Sequence, residues 1–166
     1  MLHRKDRLAS RGGAAAVELA VLLTFILLPL LVGLWEVGRM VEVQQLLDNS
    51  AREGGRQAST GQRSVSEVQL AVVNYLALNG ITVPTSAVTV ANLTDGTRYD
   101  PRAGSQPENA QQMDHFQIVV TVPFDNVRWI LMSQITPTRT LGATVDWYSM
   151  NNIPLVVSPT IPTVPQ

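Results

Sequence analysis

The sequence predicts an α+β protein, in which a long N-terminal transmembrane helix packs on a small head with a second helix and a three-stranded antiparallel sheet. Three observations predict it. An apolar run fills residues 14–35, an amphipathic stripe of helical spacing follows, and the second half of the chain alternates polar and apolar residues in three short stretches. The 166 residues are enough for an anchor and one domain of ordinary size.

Composition and charge limit the classes of function that this chain can have. The chain is 45% hydrophobic and 15% charged, with a net charge of −1, so the totals do not indicate a nucleic-acid binder. It has no cysteine, which excludes disulfides, thiol catalysis and cysteine-based metal sites. Residues 1–13 hold four basic residues against one acidic, which gives +3, and the rest holds eight against twelve, which gives −4. By the positive-inside rule, the basic leader is cytoplasmic and the head lies across the membrane.

The apolar run from Ala14 to Trp35 contains Glu18 as its only charge. As a helix it would be about 33 Å long, close to the hydrocarbon thickness of a bilayer. Three interpretations remain open: a cleaved secretory signal, an uncleaved signal anchor, and a segment cut on the cytoplasmic side before the helix. The small residues at 12–16 precede the apolar core, whereas a secretory signal has them after it.

Several short motifs follow one another within residues 11–59. They are Gly13, Val17-Glu18-Leu19, Pro29, Glu36-Val37-Gly38-Arg39 and Ala51-Arg52-Glu53-Gly54. In this order and at these distances, they resemble the start of a TadE-like pseudopilin (TadE/TadG family) of the Tad (Flp, type IVc) pilus system. The resemblance implies a pilin-like fold. It also implies a structural protein without a cofactor, whose partners are a prepilin peptidase, other pilins and pseudopilins, the inner-membrane Tad assembly platform and membrane lipid.

The resemblance further implies cleavage by the prepilin peptidase between Gly13 and Ala14. Glu18 would then be residue five of the mature chain, the position at which pilins have a glutamate. Leu19 departs from the family, because pilins often have an aromatic residue there. Glu18 would lie one turn from the new α-amino group and could pair with it or with that of a neighbouring subunit. The alternative is that Glu18 merely lies at headgroup level near the start of the helix.

The helix is expected to continue outside the membrane over residues 36–60. Trp35 lies where interfacial aromatic residues usually do, and Glu36, Arg39 and Glu42 are spaced to pair along one face. A stripe at spacings of three and four could pack on the chain's own head or on neighbouring pilin helices, and both interpretations remain open. The stripe is Met40, Val43, Leu47, Ala51, Gly54 and Ala58, and the positions assigned to helix packing are Pro29, Gly33, Gly38, Met40, Val43, Leu47 and Ala51.

The head is predicted over residues 61–150. Ser64 and Glu67 form a capping box that begins the second helix, and Asn79-Gly80 ends it. Alternation predicts strands over 86–92, 116–122 and 140–147, with a short helix over 125–135 and an exposed loop over 94–114. The proline-rich tail, residues 151–166, is expected to be extended.

No catalytic constellation is evident. His115 is the one histidine after the leader, and it forms no recognisable triad motif with Asp114 and Ser133. No metal-ligand spacing is present either. The leading hypothesis is therefore a minor pilin of the bacterial inner membrane, with its head outside the cytoplasm, that acts in pilus initiation or at the tip and can enter the extracellular pilus. The alternative is an uncleaved single-pass envelope protein whose head binds an extracytoplasmic partner, and an anchored envelope enzyme ranks third.

Overall fold

The computed structural model of the chain describes residues 6–94, 96, 106–129 and 139–151, with side chains from residue 13 onward. The predicted fold class is confirmed: a long apolar helix packs on a small head of one helix and a three-stranded antiparallel sheet. The helices and strands are α1 (Asp6–Ser59), α2 (Val65–Leu78), β1 (Val88–Asn92), β2 (His115–Pro123) and β3 (Thr140–Tyr148).

Helix α1 has two parts with different surroundings. It is 54 residues long, about 80 Å, and continues through Pro29. Every residue from 13 to 31 is exposed, although nearly all are apolar, and the first buried residue is Glu36. Of the helices in the described part of the chain, α1 is the one long and apolar enough to cross a membrane. This supports a single-pass anchor whose outer half is covered by the head.

The head has two layers. The sheet order is β1-β2-β3 with antiparallel neighbours, and Ile118 in the middle strand pairs with Val90 on one side and Val145 on the other. The alternate residues of β2 are buried, as predicted. Helix α1 lies over β3 and β2 and also contacts α2, which lies near β1. The core between the layers includes Val43, Leu47, Val68, Val72, Leu76, Phe116, Ile118 and Val120.

The local signals that delimit α2 are confirmed. The Ser64 hydroxyl accepts a hydrogen bond from the Glu67 amide, and the Glu67 carboxylate accepts one from the Ser64 amide at 2.9 Å. The same backbone N–H lowers the pKa of Glu67. The helix ends at Asn79-Gly80, where Gly80 has a φ of +78° that a residue with a side chain rarely adopts.

Two consecutive glycines let α1 approach the head closely. A Cβ at Gly54 would lie 2.6 Å from Cγ2 of Val72, and a Cβ at Gly55 would lie 1.9 Å from Nε1 of Trp147. Both distances are below van der Waals contact, so the helix could not lie where it does with alanine at either position. From Val43 to Ala58, the amphipathic stripe therefore packs on the chain's own head.

The prediction of a helix over 125–135 is wrong for residues 125–129. Phe124–Asn126 is a single 3₁₀ turn and residues 127–129 are not helical, while 130–138 lie outside the described residues. Pro123 precedes the turn, the Phe124 amide donates to the Arg139 carbonyl at 2.8 Å, and the Phe124 ring is buried. The chain thus turns sharply to bury this ring, and the long side chain of Arg128 points inward instead of lying on a helix surface.

The predicted exposed loop over 94–114 is also partly wrong. Pro107–Asn109 forms a 3₁₀ turn in which Pro107 is buried, and Ala110 is buried after it. The Gln106 side chain accepts a hydrogen bond at 2.9 Å from the Val65 amide, an otherwise free N–H of the first turn of α2. This part of the segment is therefore held against the head. Residues 95 and 97–105, and the tail beyond 151, lie outside the described residues.

Replacing Gly55 with alanine should displace the Trp147 ring. We expect a loss of about 1–3 kcal/mol in the free energy of unfolding, typical of overpacking, because an indole cannot yield by a small rotation. Gly38→Ala is the matched control, since a Cβ at Gly38 has no atom within 4 Å and alanine is the better helix former. Denaturant unfolding of the full chain in detergent micelles measures both, and equal stability of the two variants would contradict the close approach at Gly55.

Candidate functional site at the helix-to-head junction

The predicted processing segment lies on the open part of α1. Gly13, Ala14 and Glu18 are exposed, and a Cβ at Gly13 would have nothing within 4 Å. Helix α1 begins at Asp6, so the bond between Gly13 and Ala14 lies inside the helix. No described residue forms an ion pair with Glu18, and any partner of its carboxylate would come from outside the part of the chain that is described.

The first buried residues of α1, where the helix meets the head, are a pair of charged residues. Glu36 and Arg39, one turn apart, are only 6% and 8% exposed. The Arg39 Nε donates to the carbonyl of Val127 at 3.0 Å, and its Nη1 donates to the Glu42 carboxylate at 2.9 Å. The predicted pairing of Arg39 with Glu42 is therefore present, and Arg39 also ties α1 to the turn after β2.

Arg128 is the most deeply buried charge of this junction. Its side chain is 1% exposed, with Nη1 3.6 Å from the Glu36 carboxylate and Nη2 in contact with the Asp125 carboxylate. Its guanidinium also lies over the Phe124 ring, 5.2 Å from the centroid. Removing a charge from water costs several kcal/mol, and this cost is offset only when the partners are close and well placed. Arg128 therefore depends on Glu36, which α1 supplies from outside the head.

Two tryptophans lie beside the buried charges. The rings of Trp35 on α1 and Trp129 on the head meet edge to face, with centroids 6.1 Å apart. The Arg39 guanidinium lies 4.9 Å from the centroid of Trp129, a cation–π distance. Sequence reasoning singled out Trp35 but not Trp129. The sequence signal that could have identified Trp129 is the dipeptide Arg128-Trp129 between two predicted strands. Its arginine is able to pair with an acidic residue of α1.

The second charged motif of α1, Ala51-Arg52-Glu53-Gly54, divides between core and surface. Ala51 and Gly54 are buried, whereas Glu53 accepts hydrogen bonds from Arg56 at 2.7 and 2.9 Å and from Gln57 at 2.8 Å. These donors lower the pKa of Glu53 to about 2. The small residues of the motif thus allow the helix to lie close to the head. Glu53 lies at the edge of this contact and bonds to Arg56 and Gln57 of the same helix.

The other predicted site residues lie in different surroundings. Among the helix-packing positions, Val43, Leu47 and Ala51 are in the head core and Met40 packs against it, whereas Pro29 is exposed. Gly33 and Gly38 face open space, and their contact with other chains stays a prediction.

His115, Asp114 and Ser133 do not form a catalytic site within the described residues. The His115 ring stacks on Tyr148 at 4.8 Å with Nε2 3.8 Å from Asp146, and the Asp114 carboxylate accepts from the Gln111 amide at 2.8 Å in a turn. Ser133 lies outside the described residues. Within the described residues, no three histidine, aspartate or glutamate side chains are grouped to hold a metal ion.

Comparison with known proteins gives one match. The profile of a family described as TadE-like protein matches residues 13–56, from Gly13 to two residues after Gly54, and so covers all the motifs of α1. The resemblance seen in the sequence is thereby confirmed over this range, which is roughly a quarter of the chain, and the family is a structural, pilus-related one. No curated protein and no solved structure matches the chain.

Removing the Arg128 charge should leave the buried Glu36 carboxylate without the guanidinium that it faces. For Arg128→Met we expect a loss on the order of 3 kcal/mol in the free energy of unfolding, measured by denaturant titration in micelles. The matched control is Arg56→Met, because Arg56 is 64% exposed and pairs with Glu53 at the surface, where ion pairs contribute little to stability.

The double variant Glu36→Gln/Arg128→Met isolates the pair. It should lose less stability than the two single variants added together, because both members of the pair are then uncharged. Arg128→Met as mild as Arg56→Met, or strictly additive losses, would contradict the coupling between helix and head.

Proposed function

We propose that this chain is a TadE-like minor pilin, or pseudopilin, of a bacterial Tad (Flp, type IVc) pilus. It is anchored in the inner membrane by α1 and acts in pilus assembly. The observation that carries the proposal is the family match over residues 13–56, which includes Gly13, Glu18 and both charged motifs of α1. A basic leader, one exposed apolar helix and a head on the far side of that helix agree with it.

The proposal includes cleavage by a prepilin peptidase after Gly13. Four basic residues precede the bond, and nothing in the described chain covers it. Cleavage leaves a positive α-amino group at Ala14, and Glu18 follows one turn later on the same side of the helix. Inside a membrane, opposite charges attract far more strongly than in water, so a neighbouring subunit could be selected by this one contact.

The contacts at the junction fix the head to α1. Arg128 requires Glu36 of α1 and the core requires Val43 and Leu47, so the head follows α1 wherever the helix is inserted. A head held in this way presents a fixed surface at the end of an assembly. This agrees with the proposal that the protein acts at pilus initiation or at the tip.

The alternative function, an uncleaved envelope protein that binds a partner through its head, has one observation in its favour. Helix α1 runs unbroken from Asp6 through the Gly13–Ala14 bond, so a peptidase would have to unwind it. In cells that express the pilus genes, intact-mass spectrometry of the purified chain should find an N-terminus at Ala14. A chain that still begins with Met1 would instead support the alternative.

Glu18→Ala should leave membrane insertion intact and impair incorporation, because the apolar run becomes more apolar while the partner of the new amine is lost. Glu18→Gln, which keeps the size of the side chain, should behave in the same way, and Glu108→Ala, at an exposed position of the head, serves as a carboxylate control outside the membrane. The ratio of the protein in the sheared-pilus fraction to that in the membrane fraction measures the effect. Normal incorporation of both Glu18 variants would refute the pairing.

A further inference from the structure

We propose that Trp35 and Trp129 together form an interfacial anchor that holds the base of the head in the lipid headgroup layer of the bilayer that α1 crosses. The partner is thus a lipid surface, not a protein. The inference rests on membrane anchoring by α1 and is independent of cleavage after Gly13.

The first observation is the exposure of the two rings. Trp35 is 60% and Trp129 is 61% exposed, although they come from different elements and meet edge to face. Tryptophan is enriched where a membrane meets water, because its ring is apolar and its indole N–H needs a polar partner. Trp147 is the internal contrast, since its ring packs against Gly55 within the head.

The second observation is that Trp129 is held in position by the protein alone. Arg39 lies against its ring and donates through Nε to the carbonyl of Val127, two residues earlier. Arg128, the residue between them, is fixed by Glu36. The ring is therefore ordered before any lipid arrives, and seating it in the interface costs little further conformational entropy.

The third observation distinguishes lipid from protein as the occupant. From residue 13 to Trp35 the surface of α1 is exposed and apolar apart from Glu18, Thr24 and the partly buried Val32, and Trp129 lies beside Trp35. From Ala14 to Trp35 the helix spans about 33 Å, the thickness of the hydrocarbon core, so these rings reach its boundary. The three charges directly behind the rings, Glu36, Arg39 and Arg128, are buried and in contact with partners, which limits the cost of bringing this surface to the lipid.

The consequence is attachment at two points. Helix α1 fixes the depth of the head, and Trp129, off the helix axis, fixes how the head leans and turns relative to the membrane plane. The loss of Trp129 would leave the protein in the membrane but free its head to tilt.

The test uses three single-tryptophan forms of the full chain, each with the other two tryptophans replaced by phenylalanine. They are reconstituted at high dilution into phosphatidylcholine vesicles whose acyl chains are brominated near the glycerol end. We expect the tryptophan emission of the Trp35 form and of the Trp129 form to be blue-shifted. In brominated vesicles its intensity should be much lower than in unbrominated vesicles. The Trp147 form should lose none, because Gly55 is 20 helical residues beyond Trp35, about 30 Å along the axis.

Quenching of Trp35 without quenching of Trp129 would overturn the proposal, because the head would then stand clear of the bilayer. Quenching of Trp147 as well would also overturn it, since the head would be unfolded on the lipid or immersed in it. Circular dichroism of each form, compared with the wild type, shows that the phenylalanine replacements leave the fold intact. Neither result changes the N-terminal mass, so failure here is distinguishable from failure of the proposed function.

Discussion

The head is joined to α1 where Glu36 of the helix reaches the buried guanidinium of Arg128. A guanidinium that is almost completely removed from water must have carboxylates in reach, and one of the two that contact Arg128 comes from the helix, 92 positions earlier in the chain. The same turn supplies the carbonyl that receives Arg39. The boundary between anchor and head thus lies at an ion pair, at the first buried residue of α1.

The opposite end of the contact is set by shape. Gly54 and Gly55 remove two side chains from the helix surface, so that Val72, Ile118 and Trp147 can pack against its backbone. Between the charged end and the glycine end lies an apolar stripe that includes Val43 and Leu47. The two motifs within the matched range thus have separate physical tasks. The first pairs with the buried charge of Arg128, and the second allows the head to pack against the backbone of α1.

Much of this could be predicted from sequence, because the signals are local. The alternation in β2, the Ser64–Glu67 capping box and the stop at Gly80 are each written within a few residues. The partners of Glu36 and Gly55 could not be predicted, because each depends on a residue about 90 positions away. The expected helix over 125–135 failed for the same reason: its local pattern suits a helix, but the burial of Phe124 and the pairing of Arg128 with α1 outweigh local preference. The motifs identified the residues that matter in α1, and the structure identified what they contact.

The length of the contact has a mechanical consequence. The covered part of α1 runs from Glu36 to Ala58, about 33 Å parallel to the helix axis. A force along that axis loads the ion pairs, the apolar stripe and the glycine contacts in shear, all at once, instead of peeling them apart one after another. A pull on the head along this axis is therefore transmitted to α1 through the whole length of the contact.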